Sequence, residues 1–149
     1  LYGNGGESVF LLEKKDKNFN QIVENFLNKS SEPFILQKFI PEVKKGDKRV
    51  LIVNGNPVAA VQRIPKNNDI RSNIHVGGTV VKTKLTKNDL KICDAIKEEL
   101  IKNKLFFVGI DIIGNYLTEI NVTSPTCIQE IKKLSKIDVS RKIWDELLL

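Results

Sequence analysis

Two predicted β-hairpins, with a helix between them, limit the possible folds of this chain more than any other sequence feature. Each consists of two apolar segments joined by a short turn that contains Asn and Gly. The hairpins are Arg49–Val53 with Val58–Arg63 around Asn54-Gly55-Asn56-Pro57, and Leu105–Ile113 with Tyr116–Thr123 around Gly114-Asn115. Because the strands of a hairpin are antiparallel, these segments predict a mostly antiparallel sheet.

The other segments supply helices and two further strands. Thr86 is placed to cap the helix between the hairpins, and Asp89 lies in its first turn, where the helix dipole favours an acid. The predicted strands are Ser8–Leu12 and Phe34–Ile40, and the predicted helices are Phe19–Leu27, Lys87–Lys104, Cys127–Leu134 and Val139–Leu148, the last with Ile143, Trp144 and Leu147 inward. This order predicts an α+β fold with helices packed on one side of the sheet.

Composition excludes several classes of protein. The 149 residues are 41% hydrophobic and 28% charged, values that are ordinary for a globular domain. No apolar run approaches the roughly 20 residues of a membrane-spanning helix, and Leu1–Glu7 lacks the pattern of a signal peptide. Cys93, Cys127 and His75 encode neither a disulfide framework nor a zinc site. We therefore expect a cytoplasmic protein that does not bind membranes.

The net charge of +6 admits anionic partners of two kinds, nucleic acids and phosphorylated small molecules. The lysines are spread along the chain, and no dense basic run is interleaved with stacking aromatics. This distribution favours ordinary solvated faces over a nucleic-acid footprint. A basic, non-catalytic module that binds nucleic acid is kept as the alternative of a different class.

Three oxygen donors stand among apolar residues in the second hairpin. Glu119 and Asn121 are two apart and share a strand face, and Asp111 joins them only in one register. A two-residue turn at Gly114-Asn115 puts Asp111 on the opposite face, whereas a three-residue loop ending at Tyr116 sets it opposite Glu119. Two carboxylates and an amide suit Mg²⁺, although a polar strand face in water explains the same pattern.

Two further features bear on phosphate chemistry. Gly3, Gly5 and Gly6 would let backbone N–H groups approach a phosphate, although a plain hairpin turn explains them equally well. Arg49, Arg63 and Arg71 are three of only four arginines, and each lies on a strand or on the long polar loop Pro65–Gly78. The arginine fork grips carboxylate or phosphate through two hydrogen bonds, so this placement suggests an anion site.

Taken together, these motifs resemble the bacterial glutathione synthetases, a family of ATP-grasp ligases. The segments that carry the resemblance are GNGG, ILQKFIPEVKKGDKRVLIVNGNPV, RIP followed after five residues by RSN, VGG, and GIDIIGNYLTEINVTSPTCIQEI. The resemblance covers nearly the whole chain. It implies a ligase in which ATP phosphorylates the carboxylate of γ-glutamylcysteine and the amine of glycine then displaces phosphate, giving glutathione, ADP and phosphate.

The resemblance also implies roles for individual residues. Asp111, Glu119 and Asn121 match ligands of a Mg²⁺ or Mn²⁺ ion that bridges the ATP phosphates. Arg49 and Arg63 match catalytic arginines beside the transferred phosphoryl group. The remaining matches are ATP-binding residues (Gly3, Gly5, Gly6, Gln37, Lys38, Phe39 and Ile40), substrate-binding residues (Ser124, Pro125, Thr126 and Gly78), and Arg71 as a catalytic residue of a lid.

The domain organisation implied by the resemblance is partial. Residues 1–149 would form a single ATP-grasp lobe, a fragment that lacks the upstream substrate domain and central lobe, with a mobile lid loop over 64–79. The fragment alone would be inactive, and the intact enzyme would be a homo-oligomer that binds neither nucleic acid nor membranes. Another ATP-grasp ligase with a different amino-acid acceptor is the alternative within the same class.

Overall fold

The computed structural model describes residues 9–29, 34–66 and 77–148. The chain divides into two compact units, Leu1–Ile40 and Pro41–Leu149, and each is described by itself. The prediction of a single lobe over 1–149 stays a prediction. Residues 67–76, the central part of the expected lid, lie outside the described ranges.

The first unit contains helix α1, Phe19–Lys29, which confirms the helix predicted from apolar spacing. Phe26 on this helix packs against two aromatic rings from the flanking segments. Its ring centroid is 5.6 Å from that of Phe10, edge to face, and 5.8 Å from that of Phe34. Aromatic contacts at these distances are favourable, so the three rings connect the helix to both segments.

The strands predicted at Ser8–Leu12 and Phe34–Ile40 are wrong over their described residues. Residues 9–12 and 34–40 have no regular secondary structure. Leu36 is 77% exposed, as expected for an apolar side chain without a packed sheet beneath it. A strand needs a neighbour that accepts and donates its backbone hydrogen bonds, and an apolar run by itself does not supply one.

The second unit is built on a five-stranded sheet with the strand order β3-β2-β1-β4-β5, in which every neighbouring pair is antiparallel. A 3-10 helix, Pro41–Lys45, precedes the first strand. The strands are β1 (Asp47–Val53), β2 (Asn56–Ile64), β3 (Thr79–Lys82), β4 (Phe107–Ile113) and β5 (Tyr116–Asn121). The helices are α2 (Lys87–Lys102), α3 (Ile128–Ser135) and α4 (Val139–Leu147). The α+β class and both hairpins are confirmed, whereas β3 was not predicted.

Helices cover both faces of this sheet, so the prediction that they pack on one side is wrong. On one face, Cys93 and Leu100 of α2 are buried against alternate residues of β1, including Val50 and Ile52. On the other face, Leu51 of β1 is buried with Ile131 of α3 and Val139 of α4. The amphipathic pattern of a helix shows that one side is buried, but it does not say which face of a sheet receives it.

The start of α2 follows its sequence signal closely. The hydroxyl of Thr86 accepts a hydrogen bond from the Asp89 backbone N–H (3.2 Å), and the Asp89 carboxylate accepts one from the Thr86 backbone N–H (2.7 Å). This reciprocal cap occupies two N–H groups that a helix leaves without partners. The Asp89 carboxylate also pairs with Lys48 of β1 at 2.5 Å, which ties the helix to the sheet.

The last helix departs from its predicted orientation. Ile143 packs on the core as expected. Trp144 and Leu147 are 63% and 52% exposed, so they do not face inward. Within the described ranges, no helix is long and apolar enough to cross a membrane.

Candidate active site

A group of charged side chains interrupts the apolar face of the sheet that α3 and α4 cover. On β1, Asp47 and Arg49 continue the row that includes the buried Leu51. Their cross-strand neighbours are Arg63 on β2, opposite Asp47, and Asp111 on β4, opposite Arg49. Because directly opposite residues share a face, all four side chains are brought together.

A bulge in each hairpin sets this arrangement. In the second hairpin the turn is the two-residue Gly114-Asn115, with Ile113 opposite Tyr116, but the register shifts between Asp111 and Ile112. Thr118 is the extra residue on β5, and its hydroxyl donates a hydrogen bond to the Asp111 carbonyl (3.0 Å). Asp111 is therefore opposite Glu119, and Gly109 is opposite Asn121. The register that lets Asp111, Glu119 and Asn121 converge is therefore present. It is produced by the bulge at Thr118, whereas the sequence had suggested a three-residue loop.

The first hairpin also contains a tight turn followed by a bulge. Asn54 and Gly55 form a tight turn with positive φ angles of 47° and 72°. The register then shifts between Leu51 and Ile52, so that Arg63 is opposite Asp47. Without that shift Arg63 would point to the other face of the sheet, because a one-residue slip exchanges the two faces.

The two arginines share the Asp111 carboxylate. The Arg49 guanidinium donates to both Asp111 oxygens, through Nε to Oδ1 and through Nη2 to Oδ2, the latter at 2.8 Å. Arg63 donates through Nη2 to Asp111 Oδ2 at 2.7 Å. Both arginines and Asp111 are buried. Burial alone would lower the pKa of Arg63, but its hydrogen bond to Asp47 and the charges of Asp111 and Asp47 outweigh that effect and raise it, so the guanidinium stays charged.

Glu119 differs from Asp47 and Asp111, because it is exposed and no described side chain donates a hydrogen bond to it. Although Glu119 is exposed, partial desolvation and the nearby charge of Asp111 raise its pKa, and the charges of Arg49 and Arg63 act in the opposite direction. A carboxylate in this position is stabilised by an added positive charge. Asn121 donates through Nδ2 to the Gly109 carbonyl (3.3 Å), which leaves its Oδ1 as the acceptor.

The donor chemistry fits a divalent cation. Asp111, Glu119 and Asn121 present two carboxylates and an amide oxygen on adjacent strands, the oxygen ligands that Mg²⁺ and Mn²⁺ accept. Within the described part of the chain, no three histidine, cysteine or acidic side chains group as a metal site.

The segment after β5 lies against this group of charges. Pro125 is buried beside Gly109, where an added Cβ would come within 2.6 Å of the Pro125 Cβ. Thr126 accepts a hydrogen bond from Nη1 of Arg49 (3.2 Å). Thr126 and Ser124 are exposed. An open pocket of about 370 Å³ continues from Pro125 and Thr126 to Cys127, whose thiol pKa is raised mainly by burial.

The predicted site residues fall into three sets according to where they lie in the structure. It brings together Arg49, Arg63, Asp111, Glu119 and Asn121, with Pro125 and Thr126 beside Arg49. Gln37, Lys38, Phe39 and Ile40 belong to the first unit, and Gly78 directly precedes β3. Gly3, Gly5, Gly6 and Arg71 lie outside the described residues. The roles of all these residues stay predictions.

Sequence reasoning missed Asp47. It is buried, and both of its carboxylate oxygens accept hydrogen bonds from Arg63. The available signal was its spacing, because a residue two positions before Arg49 on one strand must share the face of Arg49.

The sequence matches one protein family over most of its length. The family model described as prokaryotic glutathione synthetase, ATP-grasp domain, matches residues 1–136. Among curated proteins, the glutathione synthetase of Agrobacterium fabrum is 48% identical over 99% of this chain and 46% of the relative. That of Mesorhizobium japonicum is 44% identical over 97% and 46%, and that of Synechocystis sp. is 45% identical over 96% and 45%.

The chain spans about half the length of the curated relatives it matches. The family match includes all five strands and the whole group of charged residues described above. This chain belongs to the prokaryotic glutathione synthetase family and carries sequence of that family's ATP-grasp domain.

Proposed function

We propose that the protein containing this chain is an ATP-dependent carboxylate–amine ligase that joins γ-glutamylcysteine to glycine, giving glutathione, ADP and phosphate. The family and the names of the relatives support this reaction. The observation that carries the proposal is the placement of Asp111 opposite Glu119, with Asn121 on the same strand as Glu119 and two buried arginines on Asp111. Oxygen donors for a cation beside fixed positive charge are what phosphoryl transfer requires.

Asp111, Glu119 and Asn121 would hold a Mg²⁺ or Mn²⁺ ion. Such an ion neutralises phosphate charge and orients the phosphates when it is bound. Arg49 and Arg63 add positive charge that is already fixed in position, because both are held by buried carboxylates. Charge that needs no rearrangement lowers the energy of an acyl phosphate and of the transition states that lead to it.

The segment Ser124, Pro125 and Thr126 would form part of the dipeptide site. Its connection to Arg49 through Thr126 supports this role, since substrate held by the segment would lie close to the arginine. The proposal also assigns ATP binding to Gly3, Gly5, Gly6 and to Gln37–Ile40, and lid functions to Arg71 and Gly78. These assignments rest on the resemblance of their motifs to those of the family.

Two alternatives are less well supported. A nucleic-acid-binding module is disfavoured by the spread of the lysines along the chain, because no dense basic run is interleaved with stacking aromatics. An ATP-grasp ligase with another amino-acid acceptor would share this site. The two ligases would differ only in the amine that they accept. A homo-oligomer remains a prediction from the resemblance. The two free cysteines, Cys93 and Cys127, support a reducing compartment such as the cytoplasm.

Phosphate release by the full-length protein tests the proposal. With ATP, Mg²⁺, γ-glutamylcysteine and glycine present, phosphate and glutathione should form in equal amounts. Omission of Mg²⁺ or of either substrate should stop both. Phosphate release that depends on neither substrate would contradict the assignment, and turnover with another amine in place of glycine would support a different ligase.

The chain by itself, compared in the same assay, should release no phosphate. The expected loss is large because catalysis by positioning requires both reactants to be held in line. Equal turnover by the chain and the full-length protein would contradict the fragment interpretation.

A further inference from the structure

Strand β5 presents its side chains to one face of the sheet before Thr118 and to the other face after it. Leu117, directly before Thr118, packs against the apolar cluster between the sheet and α2. Side chains of a regular strand alternate, so Glu119 and Asn121 would share the face of Leu117. They lie instead on the face of the charged group, with Glu119 opposite Asp111. The bulge at Thr118 therefore moves two predicted cation ligands from one face to the other.

The regular arrangement of β5 would be unfavourable for Glu119. If the register of the two-residue turn continued, Glu119 would lie opposite Ile110, which is fully buried among the apolar residues that α2 covers. A carboxylate placed against such residues gives up hydration without gaining a partner. The sequence of β5 is thus compatible with the cation site only when Thr118 stays out of the ladder of paired residues.

A side-chain hydrogen bond spans the bulge. The Thr118 hydroxyl donates to the Asp111 carbonyl at 3.0 Å, and Thr118 is half-buried. The extra residue of a bulge has no direct partner on the neighbouring strand, so a bond from its own side chain can fix it. Because threonine is branched at Cβ, its χ1 angle is restricted and its hydroxyl keeps its direction.

This hydrogen bond connects two of the three predicted ligands. Asp111 supplies one carboxylate, and its carbonyl accepts the bond from Thr118. Glu119 directly follows Thr118, so any rotation of the Thr118 backbone moves the Glu119 carboxylate. Mg²⁺ requires nearly octahedral coordination, with oxygens at about 2.0–2.1 Å. A small change in the width of the bulge would therefore weaken the hold on the ion.

We propose that Thr118 is a positioning residue for the cation site. Its hydroxyl, bonded to the Asp111 carbonyl, keeps the bulge at the width that brings the Glu119 and Asn121 oxygens to the same ion as those of Asp111. This inference rests on the ligase function proposed above, because that function supplies the ion. It assigns Thr118 no contact with the ion itself.

Two variants of the full-length protein isolate the hydroxyl. Thr118→Val keeps the branched shape and removes the hydroxyl, whereas Thr118→Ser keeps the hydroxyl. Water-proton relaxation measures Mn²⁺ binding to the complex with a non-hydrolysable ATP analogue. Thr118→Val should raise the Kd for Mn²⁺ roughly 10- to 100-fold, the usual cost of losing support behind a ligand, and Thr118→Ser less than about threefold. A Kd for Thr118→Val within about twofold of wild type, or equal losses in both variants, would overturn the proposal.

Thr86→Val is the matched control for a lost hydroxyl. The Thr86 hydroxyl also bonds a backbone group, the Asp89 N–H at 3.2 Å, at the start of α2. Thr86→Val should lower the denaturation midpoint, as the loss of a helix cap does, and leave the Kd for Mn²⁺ unchanged. If both valine variants weakened Mn²⁺ binding equally while folded, the effect of Thr118 would be a general loss of stability, and the proposal would fail.

A metal-free measurement separates this inference from the proposed function. In crystals of the ligand-free full-length protein, Thr118→Val should move the Glu119 Cα relative to the Asp111 Cα by more than about 0.5 Å, the tolerance of a preorganised site, and Thr118→Ser should not. Unchanged positions would overturn the proposal even if the enzyme makes glutathione.

The same crystals distinguish the two ways of being wrong. A displaced Glu119 in Thr118→Val, together with a wild-type protein that binds no Mn²⁺ at these residues, would locate the error in the proposed function. If Thr118→Val does not fold, Thr118→Ala also lacks the hydroxyl, and its comparison with Thr118→Ser decides through both measurements.

Discussion

Asp111 on β4 lies directly opposite Glu119 on β5, and a single extra residue, Thr118, is what places them there. The two carboxylates repel each other, and this repulsion adds to partial desolvation in raising the pKa of Glu119. Two arginines compensate Asp111 through direct hydrogen bonds. The arrangement is therefore short of positive charge at Glu119, where a cation is expected.

Glu119→Gln should make the ligand-free protein more stable near neutral pH. The pKa of Glu119 is higher in the folded protein than in the unfolded chain, so the protonated carboxyl group favours folding and the ionised carboxylate opposes it. The favourable contribution of the protonated form is lost as pH rises through the folded pKa. The variant removes that cost. Urea unfolding at about pH 7 should give a larger free energy of unfolding, and the gain should vanish near pH 4, below the usual glutamate pKa.

The control for Glu119→Gln is Glu98→Gln, the same change at an exposed helical position. It should leave the free energy of unfolding nearly unchanged. If Glu119→Gln destabilised the protein at neutral pH, the carboxylate would be making a favourable contact in the absence of a cation, which contradicts this description of the site.

Gly109→Ala should disturb the segment that follows β5. The new Cβ would lie 2.6 Å from the Pro125 Cβ and 3.2 Å from the Arg49 Cδ, so Pro125, Arg49 or the strand must move. Overpacking of this kind costs about 1–3 kcal/mol. We expect the free energy of unfolding to fall by that amount and KM for γ-glutamylcysteine in the full-length protein to rise. Wild-type stability together with wild-type KM would show that Pro125 is not held against the sheet.

Acid should weaken the connection between α2 and the sheet through Asp89. Although burial alone would raise its pKa, hydrogen bonds from Lys48 and Thr86 lower it. A lowered pKa means that the stabilisation is complete above the unfolded pKa of about 3.9 and is lost as pH falls through the folded value. In urea unfolding, the stability difference between wild type and Asp89→Asn should therefore shrink as pH falls below about 4. A difference that stayed constant down to pH values near 2 would argue against the ion pair.

Local patterns predicted the parts of this fold that depend on local interactions. The turn residues of both hairpins and the Thr86 cap identified their elements correctly. The segments 9–12 and 34–40 were mistaken for strands, because strand formation depends on a partner distant in sequence. The prediction that all helices cover one side of the sheet was wrong for a related reason. Periodicity shows that one side of a helix is buried, but it does not show which face of the sheet buries it.

The convergence of Asp111, Glu119 and Asn121 on one face was predictable from their spacing, and their role at a metal stays a prediction. The predicted three-residue loop was wrong, because a bulge at Thr118 leaves no mark in an apolar–polar pattern. Asp47 escaped notice because an acid at the start of a strand is usually solvated. Only its pairing with Arg63 shows that it is buried.

The most direct test of the central claim is the location of a bound divalent cation. A crystal of the full-length protein with Mn²⁺ and a non-hydrolysable ATP analogue would place the ion by its anomalous scattering. We predict Mn²⁺ within about 2.3 Å of oxygens from Asp111, Glu119 and Asn121, close to the distances of octahedral oxygen coordination, with phosphate oxygens completing the shell. An ion bound by the phosphates alone, or held by other side chains while these three stay apart from it, would contradict the account.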